Sequence, residues 1–405
     1  MYLLSCYSRR WKTLSLDSGV DASHLQPLGL FTREDLPLLE TVYAGKLALI
    51  GGAHPSAPLL RREDPTPFAR LLPQLPSLRS FHSEPGYPLT LDIASTYRRL
   101  TQLTLGSSIL PTVALRQIAT SCRALNTLTL LSFLSPSQED VALTQAAPVD
   151  WPSLRELNLH LGGVSYHSGS FRYDAPLFPP VLKGTFDSIL APQLRRLFVE
   201  LGSFASRPIE DIVPFQDFIT SSPRLTHLYI LGYNALDAEY LSRCLQFAPA
   251  LTSLTVRPLT PHFSSQPYVA SPHLPTVTDA FREWIPKLLS SLDRLGSCPE
   301  METFDCGGCT PGDVNLILKS VQGDYRSSTL KHLRVDLGFL HKEGVLAVTS
   351  ADLTERLGVL RETKGISVKL EWKVPETIKF NYPSAGVPIE YSPWASDSYL
   401  NQPLK

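Results

Sequence analysis

The sequence predicts an α/β solenoid, a stack of strand-and-helix units that curves into an arc or horseshoe. Leucine accounts for 68 of the 405 residues and is spread along the chain. A Leu-x-x-Leu-x-Leu pattern recurs, and its last two apolar positions alternate with intervening residues, as a half-buried strand requires. Ahead of several copies, apolar residues follow the i, i+3, i+4, i+7 spacing of an amphipathic helix. Two periodicities at a constant distance from each other indicate one repeated unit.

The strand motif occurs eleven times, with a mean period of about 32 residues, somewhat above that of regular leucine-rich repeats. Six copies are clear, and their first apolar residues are Leu100, Leu125, Leu154, Leu194, Leu225 and Leu251. Five looser copies begin at Trp11, Leu39, Leu78, Met301 and Leu330. Each copy predicts one strand of a parallel sheet.

Helices are predicted ahead of these strands. In four units the apolar residues lie 10, 7, 6 and 3 positions before the strand motif, as in Leu241, Cys244, Leu245 and Ala248. Two further helices are expected before the copies at Met301 and Leu330. Packed helices need about 8–10 Å and paired strands only about 4.8 Å. The sheet should therefore line the concave face and the helices the convex face.

We expect three parts along the chain. Residues 1–10 form a junction, residues 11–373 form the leucine-rich-repeat domain with a C-terminal cap, and residues 374–405 form a Pro-rich tail. The cap consists of a helical stripe through Leu353 and Leu360, followed by an alternating closing strand over 366–372.

Composition argues against several classes of function. The net charge of −1 lacks the surplus of cations that nucleic-acid binding needs. A membrane span is not expected, because no run of 18 apolar residues occurs. The first residues lack the charge and apolar pattern of a secretory signal, so we expect a cytoplasmic or nuclear monomer with reduced cysteines.

Motifs for catalysis or metal binding are weak. Cys306-Gly-Gly-Cys309 resembles a redox or zinc signature, but a single C-x-x-C without a second pair is not specific. Cys306 occupies an apolar strand position, so we interpret the pair as core-filling residues. We expect no catalytic residue, no metal and no cofactor.

Partner binding is predicted on the concave face, at positions that alternate with the core leucines. The candidates there are Glu156, Asn158, His160, Arg196, Phe198, Glu200, His227, Tyr229 and Arg257. Two long loops should extend this surface along one rim, with Tyr166, Phe171, Tyr173, Phe263 and Tyr268. The alternatives are an ordinary solvated sheet face and loops that are mobile insertions.

The first motif copy lies in the segment Cys6-Tyr7-Ser8-Arg9-Arg10-Trp11-Lys12-Thr13-Leu14-Ser15-Leu16. With this segment and the repeats that follow it, the chain resembles, over residues 6–373, F-box-associated leucine-rich-repeat proteins of mushroom-forming, basidiomycete-type fungi, in which a similar segment joins an F-box to the first repeat. Most of the F-box, a helical module ahead of this junction, is absent from the sequence, so we expect either an incomplete gene model or a protein without it.

The resemblance implies non-catalytic recognition of a protein substrate, as the substrate-binding part of an F-box (SCF-type) ubiquitin ligase adaptor. A Skp-type adaptor and a cullin would be partners only if an F-box is restored upstream. The alternative is a free-standing leucine-rich-repeat inhibitor or assembly scaffold unrelated to ubiquitin.

Overall fold

The computed structural model describes a part of the chain. It comprises residues 7–16, 28, 30–44, 71–83, 98–106, 118–130, 149–160, 186, 189–201, 213–232, 236–257, 284–307, 309, 311–323, 329–339 and 351–373. The chain divides into two compact units, Met1–Glu84 with Thr377–Lys405, and Pro85–Glu376. The predicted rim loops and the Pro-rich tail lie outside the described residues.

The first unit contains three parallel strands that pair in chain order. They are β1 (Thr13–Leu16), β2 (Thr41–Ala44) and β3 (Ser80–Ser83). Val42 and Phe81 are buried beneath them. Of the helix predicted before β3, Leu71 is helical and a 3₁₀ turn over Leu72–Gln74 follows it, while the earlier positions lie outside the described residues. Pro at the second position of this turn has no N–H to donate to a helix.

The second unit contains a parallel sheet whose strands also pair in chain order. They are β4 (Gln102–Leu105), β5 (Thr127–Leu130), β7 (Glu156–His160), β9 (Arg196–Glu200), β10 (His227–Leu231), β11 (Ser253–Arg257), β12 (Thr303–Gly307), β13 (His332–Phe339) and β14 (Ser367–Lys373). Two short segments, β6 (Val149–Asp150) and β8 (Ile189–Leu190), form a separate parallel pair. Every copy of the motif contains a strand, which confirms the predicted parallel sheet.

Five longer helices are described in the second unit, and each matches a predicted apolar stripe; residues 118–121 form a further helical turn on the stripe predicted before β5. They are α1 (Val213–Thr220), α2 (Ala238–Leu245), α3 (Trp284–Leu295), α4 (Pro311–Gly323) and α5 (Ala351–Lys364). In α2 the stripe residues Leu241 and Leu245 are fully buried. The helix begins after Asp237, whose carboxylate accepts hydrogen bonds from two backbone N–H groups at 2.9 Å. These bonds satisfy donors that the first helical turn leaves without a partner.

A recurring backbone anchor sets the register between neighbouring strands. The carbonyl of Thr226 accepts hydrogen bonds from the N–H groups of Thr252 and Ser253, at 2.9 and 3.0 Å. The carbonyl of Thr252 does the same for the next strand. Equivalent leucines therefore pair across the sheet, as Leu228 does with Leu254, and both are fully buried. A buried leucine contributes roughly 1.5–3 kcal/mol relative to an exposed one, which explains the use of so many.

Gly232 follows β10 at a position where the backbone leaves no room for a side chain. Its φ is +86°, and an added Cβ would lie 1.9 Å from the carbonyl oxygen of Leu201. Its N–H donates to the carbonyl of Arg257 at 2.7 Å, and the N–H of Leu201 donates to the carbonyl of Leu231 at 2.7 Å. Only glycine combines this dihedral angle with so close a backbone approach.

Candidate functional site

The sheet of the second unit has one face packed against helices and one face open. The residues between the core leucines of β10 and β11 are half-buried, whereas the leucines themselves are buried. On the packed side, Val199 and Ile230 line a small apolar space together with Phe215 of α1. We call the opposite side, formed by the second, fourth and sixth residues after the start of each motif, the open sheet face.

The first feature of this face is a row of three rings, His160, Phe198 and Tyr229, which we call the aromatic row. Neighbouring ring centroids are 4.8 Å apart in both contacts, and the ring planes are tilted by 39° and 36°. Such tilted contacts are favourable for aromatic pairs. The rings come from three adjacent strands: Phe198 pairs in register with Tyr229, whereas His160 pairs with Glu200 and reaches Phe198 diagonally.

Phe198 corrects an expectation about this surface. The alternation of the sequence predicts an accessible ring, but Phe198 is only 2% exposed because His160 and Tyr229 cover it. Asn158, the neighbour of Phe198 on the next strand, is 3% exposed. Both side chains are therefore covered by their neighbours on the open sheet face, whereas Tyr229 is half-buried.

Polar contacts hold the edge of the aromatic row. His160 Nδ1 lies 2.5 Å from the carboxylate of Glu200 on the adjacent strand. The side-chain amide of Asn158 donates to Thr129 and Glu156, each at 3.1 Å. These contacts limit the side-chain freedom of the candidate residues on β7 and β9.

The second feature is an ion-pair ladder across β11 to β14. Arg257 donates to both carboxylate oxygens of Asp305, at 3.1 and 3.2 Å, and to Asp336 at 3.1 Å. Arg334 donates to Glu371 through Nε at 2.9 Å and lies 3.6 Å from Asp305. The five residues of the ladder thus connect four strands through two guanidinium groups.

Burial and charge act against each other in the ladder. Burial raises the pKa of Asp305, and the nearby Arg257 and Arg334 offset only part of that effect. For Arg257, burial acts to lower the pKa, but the combined electrostatic attraction of Asp305, Tyr229 and Asp336, with the hydrogen bond to Asp305, outweighs it and the pKa is raised. Burial also opposes ionisation of Glu371, but hydrogen bonds from Lys369 and Arg334 lower its pKa overall.

Gly307 makes room for the longest reach in the ladder. It lies between Arg257 and Asp336 on the open sheet face, since Gly307 pairs with Asp336 across β12 and β13. An added Cβ would meet the Cγ of Arg257 at 3.1 Å. The aliphatic part of Arg257 therefore lies over the glycine, which lets the guanidinium contact an aspartate two strands away.

The five cysteines that the structure describes lie in the core. Cys306 and Cys309 are buried with their sulfurs 3.9 Å apart, as the core-filling interpretation predicts. The hydrogen bond from Cys309, together with burial, raises the pKa of Cys306 well above its usual value. Burial raises the pKa of Cys122 and Cys298 to about 12. Among the described residues, no three His, Cys, Asp or Glu side chains are grouped so that they could hold a metal ion.

The first unit carries its own ring pair on the equivalent strand positions. Tyr43 and His82 stack with centroids 4.5 Å apart and planes inclined by 13°. Burial lowers the pKa of His82 to about 4, and its Nε2 lies 2.7 Å from the Ser80 hydroxyl. The ring is therefore neutral at physiological pH.

The structure places the nine sheet candidates on neighbouring strands of one face, but it divides them between the two features. Arg257 belongs to the ladder, and the other eight lie on β7, β9 and β10. The sequence reading missed Asp305, Arg334, Asp336 and Glu371. The same alternation rule, applied to the looser copies at Met301 and Leu330 and to the closing strand, would have found them.

No described helix combines the length and the apolar character that crossing a membrane would require.

No model of a known protein family matches the chain, and no curated protein matches it in sequence. Among solved structures, the chain is similar to TLR13 in its complex with ssRNA13, at 11% identity and a TM-score of 0.36. It is also similar to a chain of the yeast Rad7 and Elc1 complex, at 12% identity and a TM-score of 0.35. These matches cover 84% and 82% of this chain, and 41% and 82% of the other chains. The assignment of a leucine-rich-repeat solenoid rests on the repeat and the parallel sheet described above.

Proposed function

We propose that residues 85–376 bind another protein through the open sheet face and that the chain performs no catalysis of its own. The observation that carries this proposal is the mutual support of the side chains on the face. The aromatic row and the ion-pair ladder are each held by contacts between adjacent strands. A partner that docks on such a surface loses less side-chain entropy than one that docks on mobile side chains.

The types of side chain on the face also support a protein partner. Aromatic and Arg side chains contribute much of the binding energy at protein interfaces when they are buried. Arg196 is exposed and Tyr229 is half-buried, so both can be covered by a partner.

The charges of the face favour protein over nucleic acid. On β7 to β14 its cations are Arg196, Arg257, Arg334 and Lys369, and its anions are Glu156, Glu200, Asp305, Asp336 and Glu371. Binding a phosphate backbone depends on a surplus of cations, which this set lacks. The ladder carboxylates also contact Arg side chains, a poor arrangement for general acid or base catalysis.

The finer proposal is that the bound protein is the substrate of an SCF-type ubiquitin ligase, with this chain as a monomeric adaptor in the cytoplasm or nucleus. Its support is the resemblance of residues 6–16 to the segment that follows an F-box. The second candidate is a free-standing inhibitor or assembly scaffold, which the open sheet face supports equally well.

Affinity purification with chemical cross-linking tests both the binding of a protein through the open sheet face and the finer proposal of a ligase adaptor. The wild-type chain is compared in eukaryotic cells with a face variant, Arg196→Glu with Tyr229→Ala, and with a control, Lys319→Glu, on an exposed position of α4. We expect a partner that cross-links near β9 to β11, is lost with the face variant and is kept by the control. An unchanged set of partners would contradict binding through this face. Skp-type and cullin components among the partners would support the ligase role, and a reproducible partner without them would support the scaffold.

A further inference from the structure

The sheet of the second unit ends at β14, and no strand that the structure describes pairs with its outer edge. The N–H of Ser367 donates to the carbonyl of Lys331 at 2.8 Å, so the backbone groups of Ser367 point towards β13. Backbone groups alternate in direction along a strand, so those of Val368, Leu370 and Trp372 point away from β13. They have no hydrogen-bond partner among the described residues. The edge therefore offers free donors and acceptors to another strand.

The apolar side of β14 is only partly covered. Val368 and Leu370 pair in register with Leu333 and Val335 on β13. The two β13 residues are 1% and 0% exposed, whereas Val368 and Leu370 are half-buried. Because paired residues lie on the same side of the sheet, the difference comes from the lack of a described strand beyond β14. Covering the edge would remove the exposed part of both side chains from water, which favours association.

The polar side of β14 carries one charge of each sign. Lys369 and Glu371 lie on the open sheet face, with 2.7 Å between the ammonium nitrogen and a carboxylate oxygen. Their side chains are 60% and 26% exposed. Arg334 on β13 holds Glu371 from the other side, through its Nε at 2.9 Å. An exposed cation thus stands beside a positioned carboxylate at the edge of the sheet.

The sequence of β14 is complementary to itself in the antiparallel direction. With Leu370 opposite Leu370 of a second copy, all seven residues of Ser367–Lys373 have a residue opposite them. Lys369 then stands opposite Glu371 of the second copy, and Glu371 stands opposite Lys369 of the second copy. Each charge therefore has an opposite charge both along its own strand and across the contact, an arrangement that stabilises strand pairs.

The direction of the backbone groups favours the same register. An antiparallel pair alternates between residues that exchange two hydrogen bonds and residues that exchange none. Centring on Leu370 makes the outward-pointing residues the hydrogen-bonded pairs. A register centred on Lys369 or on Glu371 would place like charges opposite each other, and the backbone groups at its centre would point towards β13.

We propose that the chain forms a symmetric dimer in which β14 pairs antiparallel with β14 of a second copy, centred on Leu370. The same strand serves both copies, so the contact closes on itself. Its twofold axis is perpendicular to the sheet, which leaves the open sheet faces of both copies uncovered on the same side. The dimer does not depend on the proposed function, but it replaces the monomer that the finer proposal contains.

Sedimentation velocity of the full chain over a range of micromolar concentrations tests the dimer. Lys369→Glu creates two like-charge contacts across the twofold axis, and Leu370→Pro removes the central N–H donor. Proline is tolerated in an edge strand where its nitrogen points outward, so the pairing with β13 is kept. The matched control is Lys331→Glu, which makes the same charge change at a side chain that is 58% exposed and also contacts a glutamate, Glu302. Thermal melting verifies that each variant is folded.

We expect a dimer for the wild type and for Lys331→Glu, and a dissociation constant higher by about tenfold or more for Lys369→Glu and Leu370→Pro. If Leu370→Pro does not fold, Lys369→Glu decides alone. A dissociation constant that Lys369→Glu leaves unchanged would place the contact on another surface and overturn the proposal.

Hydrogen exchange identifies what covers the edge. The amides of Val368 and Leu370 should be protected in the dimer and should exchange faster when dilution separates the copies. A wild type that sediments as a monomer at every concentration would overturn the proposal. If these amides are protected in that monomer, another part of the same chain covers the edge in place of a second copy.

Discussion

Replacing Gly232 with alanine should destabilise the second unit strongly, for two reasons that can be separated. The first is the φ of +86°, which costs an L-residue about 1–2 kcal/mol. The second is the contact of 1.9 Å between the new Cβ and the carbonyl oxygen of Leu201, which the chain can relieve only by moving its backbone.

The backbone movement would weaken two hydrogen bonds of 2.7 Å, one from Gly232 to Arg257 and one from Leu201 to Leu231. Gly232 and Leu201 are both buried, so a group left without a partner costs about 1–3 kcal/mol. Together with the dihedral strain, we expect a loss of roughly 2–5 kcal/mol in the free energy of unfolding.

Gly296 provides the matched control, because its φ is +60° but an added Cβ has no atom within 4 Å. Gly296→Ala should therefore show the dihedral cost alone, about 1–2 kcal/mol. Urea denaturation followed by circular dichroism gives both free energies, and hydrogen exchange over β9 to β11 locates the loss. If the two variants lose the same stability within about 0.5 kcal/mol, the close approach at Gly232 has no energetic effect and the reasoning is wrong.

Three further outcomes are expected from the same measurements. Gly307→Ala should displace the aliphatic stem of Arg257 and so weaken its ion pair with Asp336. We expect the coupling energy of that pair, measured by a double-mutant cycle, to fall by about 0.5–1 kcal/mol. An unchanged coupling energy would show that the stem has room for the added methyl group. Phe198→Ala should lower the free energy of unfolding by about 3–5 kcal/mol because the ring is buried, whereas Tyr229→Ala should lower it clearly less. Equal losses of stability in the two variants would contradict the burial of Phe198. The pKa of His82 is about 4 in the folded state, below its unfolded value, so its contribution to stability is fully present above about pH 6.5. The free energy of unfolding should fall by up to about 3 kcal/mol as the pH drops towards 4. His82→Gln should remove this pH dependence, and a dependence that persists in the variant would belong to another group.

The strands and most of the helices could be predicted because each depends on a short local pattern. Leu228 and Leu254 are both the second apolar residue of their motif copies, and both are buried beneath the sheet. Leu241 and Leu245 are four positions apart, which places them on one side of α2. The helix predicted ahead of β3 lies mostly outside the described residues; its described end is Leu71, after which Pro73 lies in a 3₁₀ turn over Leu72–Gln74.

The candidate site was only partly predictable, because its character depends on contacts between strands that are far apart in sequence. Alternation places Phe198 on the open sheet face, but its burial follows from His160 and Tyr229 on the strands at either side. The reach of Arg257 to Asp336 depends on the absence of a side chain at Gly307, 50 residues later in the chain. Reading each repeat alone gives the position of a residue but not its neighbours.

Because backbone hydrogen bonds between neighbouring strands set their register, the register does not depend on how many residues connect the strands. Thr252 binds a carbonyl 26 residues earlier, and Ser253 pairs in the same register with Thr303, 50 residues later. Added or deleted residues between two strands therefore change neither the pairing nor the side chains that stand next to each other on the face. Related chains could diversify these connections extensively while keeping the same recognition surface, and an experimenter could insert a reporter between β11 and β12 on the same principle.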